Sequence, residues 1–205
     1  MIETNRRLCV IGAGPHAKVV IVTARAVGFQ HIEVYDDDPQ RIGATVMGAP
    51  IVAPTSDALG RETALVVLAI GDNRTRARLA GSARCELATL VHPTAHVEPS
   101  STIGPGSVVF ARSVIQPDTK LGAHVIVNTA ATIDHDCTIG DHVHVAPGAH
   151  VAGIVTIGDG VLVGIGASIA PMVKIGAWSR VGAGAAVIHD VPDGVTAVGV
   201  PARVR

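Results

Sequence analysis

The chain has 205 residues, with 16 basic and 17 acidic side chains and a formal net charge of −1. That balance argues against a nucleic-acid partner, because nucleic-acid modules usually carry a basic stripe. No run of 18 apolar residues occurs, so we predict no membrane span. The first residues lack the apolar core of a signal peptide, and three cysteines in non-motif spacing fit a reducing compartment. We therefore expect a cytoplasmic protein.

The composition of the interior is unusual. Hydrophobic residues make up 48% of the chain, but aromatic residues only 2%, and 23 residues are glycine. A conventional core of this size uses aromatic side chains as bulk. Val, Ile and Ala with many glycines instead indicate a narrow interior that repeats regularly, so internal repeats are expected.

The first 88 residues alternate strand and helix patterns. Apolar runs at 7–11, 32–36 and 64–70 predict strands, and the spacing of apolar residues after Gly14 predicts a helix that ends near Gly28. Residues 73–84 have a basic, helix-like pattern. Strands alternating with helices indicate a small parallel α/β sheet, and its size corresponds to half of a dinucleotide-binding fold. The predicted domains are 1–88, which binds a nucleotide sugar, and 89–205.

A glycine loop follows the first predicted strand. Gly12 and Gly14 lie where backbone N–H groups and a helix N-terminus favour a phosphate, and Asp36 ends the second predicted strand, where a carboxylate accepts ribose hydroxyls. Ala17 occupies the third glycine position of the fingerprint, and Pro15 intrudes. A tight turn with a solvated acidic cluster is the alternative, and the half-size domain favours a nucleotide other than NAD.

From Val91 onward the chain falls into seventeen six-residue units, and each begins with Val, Ile or Leu, ending with the unit that starts at Val187. The second position is often Gly and the fifth is nearly always small or β-branched. This periodicity predicts a parallel β-helix in which the first residue of each hexad points inward. Flat apolar faces on such a coil make self-association plausible.

The complete set of motifs resembles one family. The chain contains Gly12-Ala-Gly-Pro-His16, Asp36-Asp37, Ala69-Ile-Gly-Asp-Asn-Arg-Thr-Arg76, His135-Asp136 and Gly199-Val-Pro-Ala-Arg203. It is similar to the bacterial hexapeptide-repeat nucleotide-sugar acetyltransferases, the family of the UDP-bacillosamine-pathway N-acetyltransferase and the sialic-acid O-acetyltransferase. The resemblance covers essentially the whole chain. It implies an α/β half-Rossmann-like domain followed by a left-handed parallel β-helix, and a homotrimer with active sites between subunits.

The resemblance also implies roles for individual residues. His135 would be the proton acceptor, supported by Asp136 where the family usually has Glu, and the Gly153 amide would stabilise the oxyanion. His144 would lie near the thioester of acetyl-CoA, while Ile165 and Ala183 would line the pantetheine arm. The basic candidates for binding the CoA phosphates are Lys174, Arg180 and Arg203. The candidates for binding the nucleotide sugar are Gly12, Gly14, Pro15, His16, Asp36, Asp37 and Gly71.

The chemistry of these residues is consistent with acyl transfer. A histidine with a pKa of about 6.5 is a suitable base at neutral pH, and a backbone N–H is enough to stabilise an oxyanion. Sequence neighbours in an extended chain point to opposite faces, so a contact between His135 and Asp136 needs a corner turn, and Asp134 could replace Asp136. The resemblance implies three hexads per coil, so Gly153, three hexads after His135, would lie one coil above it, whereas His144 would lie half a coil away. Cys137 occupies an inward fifth position and is expected to be a core thiol.

We therefore predict an acetyl-CoA-dependent N-acetyltransferase acting on the amino group of a nucleotide-linked amino sugar, such as a 4-amino-6-deoxy hexose, in bacterial surface glycan synthesis. Acetyl-CoA is the expected co-substrate, and no metal is expected. Three alternatives stay open: O-acetylation of sialic acid or another sugar, a γ-type carbonic anhydrase that uses some of the ten histidines as zinc ligands, and a non-catalytic trimeric scaffold.

Overall fold

The computed structural model describes residues 4–205, and the chain folds as two compact units, Met1–His92 and Pro93–Arg205. Among the residues described, no helix combines the length and the apolar character that crossing a bilayer requires.

The first unit is an α/β domain. Its strands and helices are β1 (Leu8–Ile11), α1 (Pro15–Val27), β2 (Ile32–Tyr35), β3 (Thr45–Val46), β4 (Ala49–Ala53), α2 (Thr55–Leu59), β5 (Leu65–Leu68), α3 (Asn73–Ser82), β6 (Glu86–Leu87) and β7 (Leu90–Val91). The three predicted strands and two predicted helices are present. The β3–β4 hairpin and α2 were not predicted, because their short segments lack a clear apolar period.

One sheet with the strand order β3-β4-β2-β1-β5-β6 forms the centre of this unit. Its pairs are parallel except β3–β4. All four residues of β1 and of β5 are buried, as expected for parallel strands covered on both faces. The chain runs from β1 to β2 on one side and returns to β5 on the other, so a topological switch point lies between β1 and β5. Ligands bind at such points in α/β folds.

Helix α1 begins and ends at residues that suit those positions. Pro15 is its first residue, where the missing N–H costs nothing. Gly28 closes it in the left-handed conformation, with φ 116° and its N–H directed at the carbonyls of Ala24 and Arg25. Val20 and Ile21 face the core, whereas Val19 and Val22 are exposed. The helix thus packs one face on the sheet and leaves two valines in solvent.

The second unit is a β-helix of short strands that recur every six residues. They are β8 (His96–Val97), β9 (Thr102–Ile103), β10 (Val108–Val109), β11 (Val114–Ile115), β12 (Lys120–Leu121), β13 (Ile126–Val127), β14 (Thr132–Ile133), β15 (Thr138–Ile139), β16 (His144–Val145), β17 (His150–Val151), β18 (Thr156–Ile157), β19 (Leu162–Val163), β20 (Ser168–Ile169), β21 (Lys174–Ile175), β22 (Arg180–Val181), β23 (Ala186–Val187), β24 (Thr196–Val198) and β25 (Arg203–Val204).

These strands stack into three sheets, one on each face of the coil. The first face contains β10, β13, β16, β19, β22, β24 and β25, the second β8, β11, β14, β17, β20 and β23, and the third β9, β12, β15, β18 and β21. Each strand except β25 pairs in parallel with the strand one coil away, so that Ile133 lies beside Val151 and Val151 beside Ile169, whereas β25 pairs antiparallel with β24. The predicted α/β domain followed by a left-handed parallel β-helix is confirmed.

The hexad register decides which side chains enter the interior. From Val109 to Val187 every first-position residue is buried. Fifth-position side chains such as Ser113, Thr119 and Cys137 are fully buried as well. An interior filled by one aliphatic and one small side chain per hexad leaves little space for aromatic rings, which accounts for their scarcity.

The fourth residue of each hexad turns the chain at a corner. Fourteen consecutive hexads place this residue in the left-handed region, with φ between 54° and 70°. Nine of these residues are not glycine: Arg112, Asp118, His124, Ala130, Asp136, His142, Ile154, Met172 and Trp178. Left-handed backbone costs roughly 1–2 kcal/mol for a residue with a side chain. The stack holds it, because the corner N–H donates to a carbonyl one coil below, as from Asp136 to Pro117 at 3.0 Å.

The second-position glycines allow contacts between neighbouring coils. Asp141 Oδ1 accepts a hydrogen bond from the Ala123 N–H at 2.7 Å, one coil below. A Cβ on Gly122 would lie on this same oxygen. Asp159 makes the equivalent contact one coil higher, to the Asp141 N–H at 2.8 Å and over Gly140. Glycine at these positions therefore leaves room for a carboxylate that links two coils.

Candidate active site

His135 and Asp136 lie at the corner that follows the second face. His135 is the third residue of its hexad and Asp136 the fourth, with φ 58°. This backbone turn brings Asp136 Oδ2 to 2.8 Å from His135 Nδ1. Asp134 makes a different contact, since its Oδ1 accepts the backbone N–H of His135 at 2.9 Å. Asp136 therefore engages the ring and Asp134 the main chain.

The carboxylate of Asp136 changes the properties of the imidazole. The hydrogen bond that Asp136 accepts from the ring is the main cause that raises the pKa of His135, and the charges of Asp134 and Asp136 add to it. A carboxylate at Nδ1 retains the proton there and leaves Nε2 as the basic nitrogen. The side chain is 51% exposed, so a substrate can reach it. The corner thus presents a base with an orienting partner.

Gly153 lies directly above this ring. A Cβ at Gly153 would be 2.7 Å from both Cε1 and Nε2 of His135, so the ring occupies the space that a side chain would need. Within residues 4–205, no acceptor takes the N–H of Gly153, whereas its carbonyl accepts from Met172 at 3.1 Å. His135 and Gly153, stacked one coil apart, therefore combine a basic nitrogen with a backbone N–H that no described residue accepts.

His144 lies on a different face from His135. It is the first residue of β16, on the first face, and its Nε2 is 3.1 Å from Asn128 Nδ2. Asn128 Oδ1 accepts the Thr129 N–H at 2.8 Å, which orients the amide so that Nδ2 points at the ring. Nε2 therefore acts as the acceptor. We did not predict Asn128, although its place on the coil directly below His144 was a usable signal.

Of the six residues predicted to bind acetyl-CoA, four lie together. His144, Leu162 and Arg180 are in register on the first face. Ile165 and Ala183 are exposed, one coil apart, at the corner that follows this face. Lys174 lies apart from them, on β21 of the third face, and is also exposed. Arg203 is exposed on β25 at the end of the first face.

The predicted nucleotide loop lies at the carboxyl end of β1. Gly12 has φ 98°, and a Cβ there would lie 2.6 Å from Ile70 Cδ1, so this position requires glycine. Gly14 is the N-cap of α1, with open space around its Cα, and Pro15 is the exposed first helical residue. A close approach of a ligand to the backbone is therefore possible at Gly14.

Both predicted carboxylates also support the loops around them. Asp36 Oδ2 accepts the N–H of Ala13 at 2.6 Å, and its Oδ1 accepts the N–H of Asp38 at 3.0 Å. Asp37 Oδ1 accepts the N–H and the hydroxyl of Thr55 at 2.9 and 2.8 Å, at the start of α2. Asp36 thus ties the glycine loop to the end of β2.

His16 and Gly71 are organised around a buried arginine. Arg76 is only 1% exposed, and its Nη1 donates to the carbonyls of Ile70 at 3.0 Å and Gly71 at 3.4 Å. Its Nη2 donates to Asn73 Oδ1 at 2.9 Å, which fixes the start of α3. Burial, and then the charge of Arg76, lower the pKa of His16 to about 4, so its imidazole is neutral at pH 7. Sequence reasoning noted the motif but not this role.

Within residues 4–205, no three His, Cys, Asp or Glu side chains are grouped so that they could hold a metal ion. The carbonic anhydrase alternative therefore has no ligand set within the described part of the chain.

Comparisons with known proteins identify the family of the chain. The PglD N-terminal domain family model matches residues 7–83. No curated protein matches the chain significantly. The perosamine N-acetyltransferase from Caulobacter crescentus, crystallised with CoA and GDP-perosamine, has 39% identity and a TM-score of 0.92 over 98% of this chain and 97% of that one.

Two further solved structures match over nearly the whole length. The acetyltransferase domain of PglB from Neisseria gonorrhoeae FA1090, in complex with acetyl coenzyme A, has 41% identity and a TM-score of 0.92, covering 98% of this chain and 99% of that one. WeeI from Acinetobacter baumannii AYE has 28% identity and a TM-score of 0.88, covering 97% and 99%. The chain thus belongs to the hexapeptide-repeat family of nucleotide-sugar N-acetyltransferases and is a sugar N-acetyltransferase that uses acetyl-CoA as its co-substrate.

Proposed function

We propose that the chain transfers the acetyl group of acetyl-CoA to the amine of a nucleotide-linked 4-amino-6-deoxy hexose, with His135 as general base. The observation that carries this proposal is the His135 Nδ1–Asp136 Oδ2 contact of 2.8 Å beneath the unused N–H of Gly153. The Caulobacter relative crystallised with GDP-perosamine supports an amino sugar carried by a nucleotide.

His135 Nε2 takes a proton from the acceptor nitrogen. Asp136 accepts the hydrogen bond of Nδ1, which leaves Nε2 available to the acceptor, and it favours the imidazolium that forms. The neutral amine attacks the thioester carbonyl, and a C–N bond forms. As the tetrahedral intermediate collapses, the C–S bond breaks, and the CoA thiolate takes the proton from the His135 imidazolium and leaves as the free thiol. The products are an amide and CoA.

The Gly153 amide is the proposed donor to the oxygen that becomes negative in this intermediate. Its N–H has no partner among the described residues, so no existing hydrogen bond has to break before it binds the oxyanion. A single donor of this kind contributes roughly 10²–10³-fold to the rate. His135 thus acts on the acceptor nitrogen, and Gly153 acts on the carbonyl oxygen of the thioester.

Acetyl-CoA is proposed to lie along the first face. His144, oriented by Asn128, would be near the thioester, Ile165 and Ala183 would contact the pantetheine arm, and Arg180 would bind a CoA phosphate. Lys174 and Arg203 are further phosphate candidates. The loop that contains Gly12, Gly14, Pro15 and His16, with Asp36, Asp37 and Gly71, would bind the nucleotide at the switch point of the sheet.

The separation of His135 from the first face supports a site shared between subunits of a homotrimer. In this arrangement the base comes from one subunit and His144 from its neighbour. Mixing inactive His135→Ala and His144→Ala subunits should then restore part of the activity, since some sites receive both intact histidines. A mixture that stays inactive would contradict a shared site. We propose cytoplasmic surface-glycan synthesis as the setting.

The proposal is tested by thiol release from acetyl-CoA with UDP-, GDP- and dTDP-linked amino sugars as acceptors. One nucleotide-linked amine should be acetylated, and the free sugar should be a poor acceptor. His135→Ala should lower kcat/KM by about 10²–10⁴-fold. His96→Ala is a matched control, because His96 also contacts a carboxylate, Glu98, at 2.7 Å.

Two outcomes would overturn the proposal. Full transfer by His135→Ala would remove His135 from the role of base. Acetylation of free sugars in preference to every nucleotide-linked amine would favour the O-acetyltransferase alternative, with ester rather than amide products.

A further inference from the structure

Third-position residues at the corner after the second face differ in their backbone N–H groups. Going up the column, they are Pro117, His135, Gly153 and Pro171. The two prolines have no N–H, and the N–H of His135 is bound by Asp134 Oδ1 at 2.9 Å. Among these four residues, only Gly153 has an N–H that no described residue accepts. The peptide that joins Ala152 to Gly153 is therefore distinct in this column.

The other end of this peptide is held by a thiol. Cys137 Sγ lies 3.2 Å from the carbonyl oxygen of Ala152 and donates to it. A longer contact of 3.6 Å joins the same sulfur to the carbonyl of His135. The C=O of Ala152 and the N–H of Gly153 belong to one planar amide. The thiol thus acts on the same amide that supplies the Gly153 N–H.

We propose that Cys137 is a positioning residue that aims and polarises the Gly153 N–H for the oxyanion. The inference rests on the proposed role of Gly153. A hydrogen bond accepted by an amide carbonyl draws electron density toward the oxygen and makes the N–H of that amide a better donor. It also holds the peptide plane at a defined angle.

The state of the thiol suits this role. Cys137 is fully buried, and burial raises the pKa of its thiol, so the sulfur keeps its proton and remains a donor.

The same kind of bond occurs lower in the column, which provides a control. Ser101 Oγ donates to the Gln116 carbonyl at 2.7 Å, and Thr119 Oγ1 donates to the Asp134 carbonyl at 2.7 Å. One coil above Cys137 the fifth residue is Val155, which has no donor. The Gln116 carbonyl belongs to a peptide whose nitrogen is Pro117, so the Ser101 bond has no N–H to act on. Ser101 is therefore a structural match without the proposed function.

The test compares Cys137→Ala with Cys137→Ser. Alanine occupies this inward position in other hexads, as at Ala131 and Ala149, so the coil should fold. Serine at fifth positions reaches the matching carbonyl at 3.0 Å from Ser107 and 2.8 Å from Ser113, so it can replace the thiol as donor. Because cooperativity changes a hydrogen bond by about 10–30%, Cys137→Ala should lower kcat about two- to sevenfold, with KM unchanged. Cys137→Ser should restore kcat.

The amide itself can be observed. In a sample labelled with ¹⁵N-glycine, the Gly153 amide proton of Cys137→Ala should shift upfield, and that of Cys137→Ser should return toward the wild-type value. Ser101→Ala should leave both kcat and this resonance unchanged.

Three results would overturn the inference. They are an unchanged kcat in Cys137→Ala, an equal decrease in Ser101→Ala, and a loss in Cys137→Ser as large as in Cys137→Ala. If His135→Ala remains inactive in these cases, the proposed function stands and only the role of Cys137 is wrong. Full activity in His135→Ala would instead contradict the proposed function.

Discussion

In the β-helix unit the direction of a side chain follows from its place in the hexad, whereas in the α/β unit it follows from contacts between loops. His135, Asp136 and Gly153 occupy third and fourth positions of stacked hexads, and their relation repeats once per coil. Gly12 and Asp36 follow the ends of two different strands and Arg76 lies in α3, and hydrogen bonds specific to these segments join them to their neighbours.

The two units should therefore differ in how well they tolerate substitutions. A hexad tolerates replacement of outward residues, because the inward first and fifth positions keep the coil intact. A loop at the edge of the sheet is coupled to its neighbours, so that a change at Asp36 would release the amide of Ala13. We expect substitutions in the two units to respond differently, and the predictions below run from the largest effect to the smallest.

The register of the β-helix predicts the largest effect on stability. Ile157 is the buried first residue of its hexad, and Thr156 beside it is exposed. Ile157→Ala should destabilise the protein by about 2–5 kcal/mol, because it leaves a cavity in a narrow interior. Thr156→Ala should change stability by less than about 0.5 kcal/mol. Urea unfolding measures both, and similar losses in the two variants would contradict the assigned register.

Substitution of Gly153, in the β-helix unit, should lower activity without lowering stability. In Gly153→Ala the new Cβ would push the His135 ring, whose end can move, so kcat should fall about 100-fold with little change in Tm. Gly158→Ala is the control, since its Cβ would meet the backbone nitrogen of Ala177 at 2.7 Å. That variant should lose about 1–3 kcal/mol of stability. Normal turnover by Gly153→Ala would show that the ring position does not matter.

The α/β unit should respond to pH through His16. Its folded-state pKa of about 4 lies below its ordinary value of 6.5, because burial disfavours the charged ring. The neutral ring therefore stabilises the fold fully above pH 6.5, and this contribution is lost as the pH falls toward 4. Between pH 7 and pH 5 the loss is about 2 kcal/mol.

The variants His16→Asn and His16→Gln should both remove this part of the acid sensitivity, as measured by urea unfolding at the two pH values. If both variants lose as much unfolding free energy between pH 7 and pH 5 as the wild type does, the acid sensitivity belongs to other groups.

Asp136→Asn should have the smallest effect, on the pH profile of catalysis. The base must be unprotonated, so activity falls as the pH drops through the raised pKa of His135. Asp136→Asn removes the carboxylate hydrogen bond that is the main cause of the raised pKa, so the acidic limb of the kcat/KM profile should move to lower pH. The plateau should fall about tenfold, as orientation of the ring is lost.

Asp134→Asn is the matched control for this substitution. Asp134 binds the backbone N–H of His135 rather than the ring, and its charge is a lesser cause of the raised pKa. It should move the limb less than Asp136→Asn does. A larger shift from Asp134→Asn would reverse the roles of the two carboxylates.

Much of the β-helix could be predicted from the sequence, and less of the α/β unit. An aliphatic residue every six positions and a small or β-branched residue at the fifth positions describe the inward direction, since one coil repeats the next. The stacking of Gly153 on His135 followed from their separation by three hexads together with the three hexads per coil that the family resemblance implies. In the α/β unit, the strands β1, β2 and β5 followed from apolar runs, but the β3–β4 hairpin and α2 are too short and mixed in pattern to be predicted.

The sequence by itself determined the coil, its register and the column that contains His135 and Gly153, because periodic spacing is local information. Only the tertiary structure decided that fourth-position residues adopt left-handed backbone, so that Asp136 reaches the ring and Asp134 does not. It also decided the contacts of Asn128 with His144, of Cys137 with the Ala152 carbonyl, and of Arg76 with the loop after β5. Each depends on the close approach of segments distant in sequence or on the direction of a turn, which side-chain periodicity does not encode.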